Sequence, residues 1–382
     1  MSIISKKILF DLSFVLTPDS VFTGVAKYAY RILEYIVKSG RQGKYMLLLN
    51  ENSADNIISM FPQFEYAIVG KKWMKHTRFF KYFFYMYDFK KVVNRTGAKL
   101  VFCPYGGPVA SLKVRPKKIS VIHDLQVRID AKYKKRRDVW IAKFAEDHLL
   151  RNSDCVLTIS NFSRNQILSF YPDAEKKVIN MSNSVSMVRR EDLKPMKPGY
   201  RYLLYCGRLY VQKNVMTLVK AFHKLSTENP DLKLVFIAGE NDYWDTAIKP
   251  YIIDNGIADN VVLTGRCSEE DLSRWYMGAV CFVFPSVREG FGFPPLEAAY
   301  MHVPVVCSKA DSLEEVTLGL LNYYEPPMDE IKLAEAIQKV MDNPPSKEQL
   351  HEIADEYERH YSIDVVGKKI CDFLEKQSEN EI

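Results

Sequence analysis

Short apolar runs alternate with helical patterns along this chain, and the alternation starts again near its middle. Lys7–Phe10, Tyr45–Leu49, Tyr66–Val69, Lys99–Phe102, Ile119–Ile122 and Cys155–Ile159 read as strands. Between them, Gly24 opens a stretch with Val25, Tyr28, Ala29, Ile32, Leu33 and Ile36 at helical spacing. A second helix is expected over about Asp138 to Arg151, and a third after Ser160, a good N-cap residue. Ser184 to Tyr200 is polar and irregular, with Pro195 and Pro198. Strands then resume at Tyr202–Cys206, Leu234–Ala238, Val261–Leu263 and Val280–Phe284. This pattern predicts a doubly wound parallel sheet in each half. A chain of 382 residues is also too long for one ordinary core. Two α/β domains are expected, over 1–190 and 191–360, with Ser184 to Tyr200 as the linker. The amphipathic run from Tyr361 to Leu374 reads as a closing helix.

Composition narrows the class. With 47% hydrophobic and 26% charged residues the chain is globular rather than disordered. A formal charge of +6 permits anionic partners without requiring them. Seven cysteines lie scattered, with no CxxC or other metal-ligand spacing. An odd, scattered set fits a reducing compartment. No apolar run approaches the ~18 residues of a membrane span. The N-terminal apolar run is interrupted by Asp11, and Ile8 to Phe10 is read as a buried strand of a cytoplasmic protein.

Chemistry concentrates from Phe284 to Val306, FPSVREGFGFPPLEAAYMHVPVV. An apolar strand leads into a loop with Glu289, Gly290 and Gly292. Pro294 and Pro295 follow at what reads as the start of a helix carrying Glu297. Such a loop delivers a helix N-terminus with free amides just past a strand's carboxyl end, where open parallel sheets bind ligands and anions. Upstream, Cys206-Gly-Arg-Leu-Tyr-Val-Gln-Lys-Asn214 places Arg208 and Lys213 on the loop after another strand. Gly207 allows the turn, and two fixed cations can neutralise charge on a leaving diphosphate. His123 directly follows a strand, in Val121-Ile-His-Asp-Leu125. A lone histidine there is ordinarily structural. An imidazole at a ligand can instead donate to a hydroxyl or carry partial charge near a cationic transition state.

The segment E-G-F-G-F-P-P-L-E-A with V-P-V-V, the G-R-x4-K before it and the H-D at 123–124 together resemble the E-x7-E retaining glycosyltransferases of GT-B fold. The resemblance covers nearly the whole chain and is strongest from Tyr205 to Val316. It implies two Rossmann-like domains facing a central cleft: an acceptor-side domain over 1–190, to which 361–382 cross back, and a nucleotide-sugar domain over 191–360. It implies catalysis by His123, Glu289, Arg208 and Lys213. It implies a donor held by Gly24, Gly207, Gly265, Arg266, Phe291, Gly292, Phe293 and Glu297, the last on ribose hydroxyls. Gly24 lies in a loop with fewer glycines than the family usually has. The donor would be a nucleoside-diphosphate sugar such as GDP-mannose, dTDP-rhamnose or a UDP-sugar, used without metal or other cofactor. The acceptor would be a glycan or a lipid-linked glycan in surface polysaccharide synthesis, lipopolysaccharide or capsule. A GT-B epimerase or hydrolase, or a silent partner of another transferase, are the competing readings.

Two segments are strongly basic. Lys71 to Lys91 holds seven Lys or Arg, one Asp and nine aromatic residues, and Lys132 to Arg137 reads KYKKRR. Cations mixed with aromatic rings suit an anionic membrane interface. The stretches 71–91 and 132–137 are therefore expected to bring the protein onto the inner face of a membrane. No nucleic-acid motif accompanies them.

Overall fold

The computed structural model describes residues 7–16, 24–70, 78–129, 136–185 and 192–379. It divides into unit 1, residues 1–184 with 363–382, and unit 2, residues 185–362.

Unit 1 is built on seven strands: β1 (Ile8–Asp11), β2 (Tyr45–Asn50), β3 (Glu65–Val69), β4 (Leu100–Cys103), β5 (Lys117–Val121), β6 (Cys155–Thr158) and β7 (Val178–Asn180). Their order is β3-β2-β1-β4-β5-β6-β7, and all neighbours run parallel. Strands β1, β2, β4 and β6 are buried along their whole length. They therefore appear in the sequence as continuous apolar runs rather than alternating ones. The helix Gly24–Lys38 buries Tyr28, Ala29, Ile32, Leu33 and Ile36. The helix Ile363–Glu379 packs along it, and there Gly367 leaves no room for a side chain: a Cβ would lie 2.5 Å from Tyr35 Cγ. Lys38 holds Asp364 at 2.6 Å across the same pair of helices, and Arg41, just past the first of them, holds Asp372 at 2.6 Å.

Unit 2 carries β8 (Arg201–Cys206), β9 (Leu232–Ile237), β10 (Val261–Leu263), β11 (Cys281–Phe284), β12 (Val305–Ser308) and β13 (Asn322–Tyr324). The order β10-β9-β8-β11-β12-β13 repeats that of the first six strands of unit 1, again all parallel. The edge strands β7 and β13 were not foreseen: each is three residues long and includes an asparagine, whereas the equally short β10 is a run of aliphatic residues.

Residues 71–77 and 132–135 of the two basic segments lie outside the described residues. The helix Arg78–Arg95 continues from the first, and the helix Arg136–Asn152 from the second. No described helix is long and apolar enough to cross a membrane.

Candidate active site

In unit 2 the strand order reverses between β8 and β11. The crevice outside the carboxyl ends at such a switch point is where doubly wound sheets take ligands. Two loops meet there, 207–214 after β8 and 285–292 after β11. Val287 N–H donates to the Gln212 carbonyl at 3.0 Å, and Asn214 Nδ2 donates to the Pro285 carbonyl at 3.0 Å. Asn214 has φ +54°, a left-handed conformation that Asn tolerates. Its Oδ1 accepts from Thr217 Oγ1 at 2.7 Å. The loops so joined set Lys213 Nζ 2.5 Å from Glu289 Oε1, across 76 residues of sequence. The side chains are 22% and 10% exposed, so the pair is shielded yet reachable.

Arg208 stands differently. Its side chain is exposed and has no hydrogen-bonding or ion-pairing partner among the described residues. Its carbonyl accepts from Tyr205 OH at 3.0 Å, which holds the turn. Gly207 before it has φ +151°, and a Cβ there would press on the same hydroxyl at 3.0 Å. One cation of the motif is thus already paired and the other faces solvent.

The Glu289–Gly292 loop is held from below. Ser312 Oγ donates to the Glu289 carbonyl at 2.9 Å. Asp311 accepts from Glu289 N–H and from the Arg288 guanidinium, both at 3.2 Å. Burial pushes the Asp311 carboxyl above its ordinary range, against the pull of Arg288 and of that N–H. Phe291 is 3% exposed, its ring set edge-on against Tyr361, so its backbone rather than its ring is available to a ligand. Gly292 has φ +89°, and a Cβ on it would lie 2.4 Å from Leu313 Cδ2.

The helix Phe293–Tyr300 corrects one expectation. Pro294 and Pro295 both fall in its first turn, so two of its first four positions have no N–H. The helix end is poor in donors. Phe291 and Gly292 N–H find no acceptor among the described residues, so the loop supplies them instead. Glu297, on this helix, is 8% exposed, and Tyr276 OH donates to its Oε2 at 3.5 Å. Gly265, with φ +79°, and the exposed Arg266 follow β10 at the same edge of the sheet. A separate cavity of about 440 Å³ sits at the amino ends of β12 and β13, between Val303, Leu320 and Pro344. It lies at the wrong end of the strands to serve these loops.

In unit 1, His123 follows β5. Its Nε2 lies 2.9 Å from the Pro104 carbonyl, and its ring meets Tyr28 edge-on at 5.1 Å. A carbonyl only accepts, so Nε2 carries the proton. Burial pulls the imidazole's pKa down, against the Pro104 carbonyl and the Asp124 charge. The neutral ring therefore offers a ligand an acceptor at Nδ1, not the donor that the sequence suggested. Ser160 caps the helix Asn161–Phe170, accepting from Ser163 N–H at 3.1 Å, and Ser163 Oγ donates to the His123 carbonyl at 3.0 Å. Gly24 is the first described residue of its helix, and the rest of its loop, 17–23, lies outside the described residues.

The sequence reading assigned no role to Asn214, Asp311 or Ser312, while Tyr276 falls in a stretch, 263–276, that resembles the family's base-binding region. Asn214 directly follows the G-R-x4-K run and was within reach; Asp311 and Ser312 carry no local signal.

Among the described residues, the arrangement joins two cations, two shielded carboxylates and loop amides at the mouth of a doubly wound sheet. Residues 189–357, which lie within unit 2, match the family described as Glycosyl transferases group 1. The chain is 29% identical over 223 residues to O-antigen chain mannosyltransferase B of Escherichia coli, covering 56% of this chain and 58% of that one. It is 27% identical over 218 residues to O-antigen chain mannosyltransferase RfbU of Salmonella typhimurium, covering 57% and 59%. The chain thus spans less than two thirds of the length of these curated relatives. Sucrose-phosphate synthase from Thermosynechococcus elongatus superposes with TM-score 0.77 at 16% identity, over 97% of this chain and 99% of that one. Anabaena Alr3699/HepE, solved in complex with UDP and glucose, superposes with TM-score 0.71 at 14% identity, over 97% and 100%. The fold is GT-B, two Rossmann-like domains.

Proposed function

We propose that this protein is a retaining glycosyltransferase that moves a sugar from a nucleoside-diphosphate sugar to a glycan or lipid-linked acceptor in surface polysaccharide synthesis. The observation that carries the reading is the Lys213–Glu289 pair at the switch point of unit 2, with solvent-facing Arg208 on the same loop. The O-antigen relatives support a polysaccharide context, and the UDP complex supports a nucleotide at this fold.

In this reading the bond from the sugar's anomeric carbon to phosphate oxygen breaks while the bond to the acceptor oxygen forms on the same face. The acceptor's proton passes to the departing phosphate oxygen. Arg208, Lys213 and the N–H groups of Phe291 and Gly292 meet the charge growing on the diphosphate, without recourse to a metal. Glu289 and His123 position the sugar, His123 as a neutral acceptor. Glu297 takes the ribose hydroxyls, and Gly265 and Arg266 border the base.

Contact with an anionic membrane is part of the proposal. Trp140 and Phe144, on the helix Arg136–Asn152, are 66% and 49% exposed. Their rings stack at 5.6 Å, on a helix that also carries the exposed cations Arg136, Arg137, Lys143 and Arg151. Exposed rings among cations suit the headgroup layer. Work at the cytoplasmic face would follow.

The deciding experiment is a thermal-shift series with UDP, GDP, dTDP and CDP, with Arg208→Ala alongside. A ligand that binds only the folded state raises the melting temperature. One diphosphate should stabilise the wild type and fail in the variant, which names the donor class. No shift with any of the four would refute donor binding and favour a silent partner. Turnover of the donor without acceptor would favour the epimerase or hydrolase instead.

A further inference from the structure

We infer that Asp311 and Ser312 are positioning residues for sugar transfer, acting through Glu289. The inference rests on the proposed transfer reaction and adds a support for one of its site residues. Both lie on the loop after β12, which runs beneath the Glu289–Gly292 segment. Asp311, Ser312 and Leu313, the last being the first residue of the helix that follows, each engage that segment. Asp311 Oδ2 accepts from Glu289 N–H at 3.2 Å, and Ser312 Oγ donates to the Glu289 carbonyl at 2.9 Å. Leu313 fills the space beside Gly292 so closely that a Cβ would lie 2.4 Å from its Cδ2. Both backbone groups of Glu289 are therefore held by side chains of one neighbouring loop.

The hold extends sideways. Asp311 Oδ1 accepts from Arg288 at 3.2 Å, so one carboxylate bridges two successive residues of the loop. Asp311 itself adopts φ +51°, a conformation uncommon for residues other than glycine. Its side chain is 13% exposed, so the bridge is sheltered from water. A strained backbone at a sheltered carboxylate is kept when the surroundings over-determine it. The result of that over-determination is a fixed origin for the Glu289 side chain, which then reaches Lys213 at 2.5 Å. Small errors in such an origin are costly, since misplacement by about 1 Å can lower a rate about a hundredfold.

The test uses the full chain with Asp311→Ala, Asp311→Asn and Ser312→Ala. Amide hydrogen exchange by mass spectrometry reads the hold directly, without any substrate. In Asp311→Ala the peptide spanning 286–292 should exchange about tenfold faster while the other peptides of unit 2 keep their protection. Asp311→Asn should keep much of that protection, because an amide oxygen still accepts from Glu289 N–H and Asn tolerates the positive φ. Kinetics on whichever of UDP-glucose, GDP-mannose or dTDP-rhamnose the wild type uses provides the second readout. Asp311→Ala should lower kcat about ten- to a hundredfold and leave the donor KM within about twofold, with Asp311→Asn recovering most of the loss. Unchanged exchange at 286–292 overturns the hold. Faster exchange with wild-type kcat overturns its role in transfer. A wild type that turns over none of the three donors overturns the transfer role too, and the exchange data then show that the reaction assignment failed rather than the hold.

Discussion

Gly292→Ala probes the packing under the candidate donor loop. Gly292 sits at φ +89° and ψ +66°, and an added Cβ would lie 2.4 Å from Leu313 Cδ2. The left-handed backbone costs an L-residue about 1–2 kcal/mol. Forcing a methyl group against the fully buried Leu313 adds about 1–3 kcal/mol of overpacking. The total is about 2–5 kcal/mol, a large share of a typical domain's stability. Gly265→Ala is the control. Its φ is also positive, +79°, but open space surrounds it, so only the backbone cost of about 1–2 kcal/mol applies. Guanidinium titrations followed by fluorescence and circular dichroism measure both variants. In a Leu313→Ala background the methyl group of Gly292→Ala gains room, and its cost should fall to that of Gly265→Ala. A cost for Gly292→Ala no greater than for Gly265→Ala in the wild-type background would refute the steric argument.

Arg208→Ala should reduce turnover by a factor equivalent to about 2–4 kcal/mol. Because Arg208 is exposed, the same variant should unfold within about 0.5 kcal/mol of wild type. Lys213→Ala should lose turnover and stability together, about 1–3 kcal/mol of the latter, since it strips the shielded Glu289 carboxylate of its partner. Denaturant midpoints beside initial rates separate the two patterns. Asp11, fully buried at the end of β1, has its carboxyl pushed up to about 6, chiefly by burial and against hydrogen bonds from Ser13 and Tyr105. The folded state therefore binds this proton more tightly than the unfolded chain. The contribution is present below about pH 4 and is lost as pH rises towards 6, by about 3 kcal/mol. Asp11→Asn should flatten that slope in unfolding free energy measured from pH 4 to 7, and an unchanged slope would place the titration elsewhere.

What could be read before folding depended on how local the signal was. Leu203 and Leu204 in β8, or Phe282 and Val283 in β11, lie in strands covered on both faces, so hydrophobicity alone reveals them. Val178–Asn180 pairs with β6 and Asn322–Tyr324 with β12, and three residues that include an asparagine do not announce a strand as the aliphatic Val261–Leu263 does. Lys118 misleads in the opposite direction. A lysine at a strand start suggests solvent, yet this one is 2% exposed, with Nζ donating to the Ala110 and Leu112 carbonyls at 2.7 and 2.6 Å. The cation satisfies the end of a turn that precedes it, which only the folded chain brings near. At the candidate site, the glycine, arginine, lysine and glutamate positions carried a family resemblance. Asp311 carried none, because a carboxylate in a polar loop looks solvated until the loop folds beneath Glu289.

The helix Ile363–Glu379 belongs to unit 1, although all of unit 2 intervenes in the sequence. During vectorial synthesis the first 184 residues emerge from the ribosome without it. Tyr35 then lacks Gly367, and Arg41 lacks Asp372, until some 180 further residues have been made. Unit 2 has all its strands by Tyr324 and can consolidate first. The dependence on a late helix predicts a departure from the usual order, in which the earlier domain matures earlier. A nascent chain stalled before Ile363 should show a protease-resistant unit 2 attached to a unit 1 that is still digestible and still a client for chaperones.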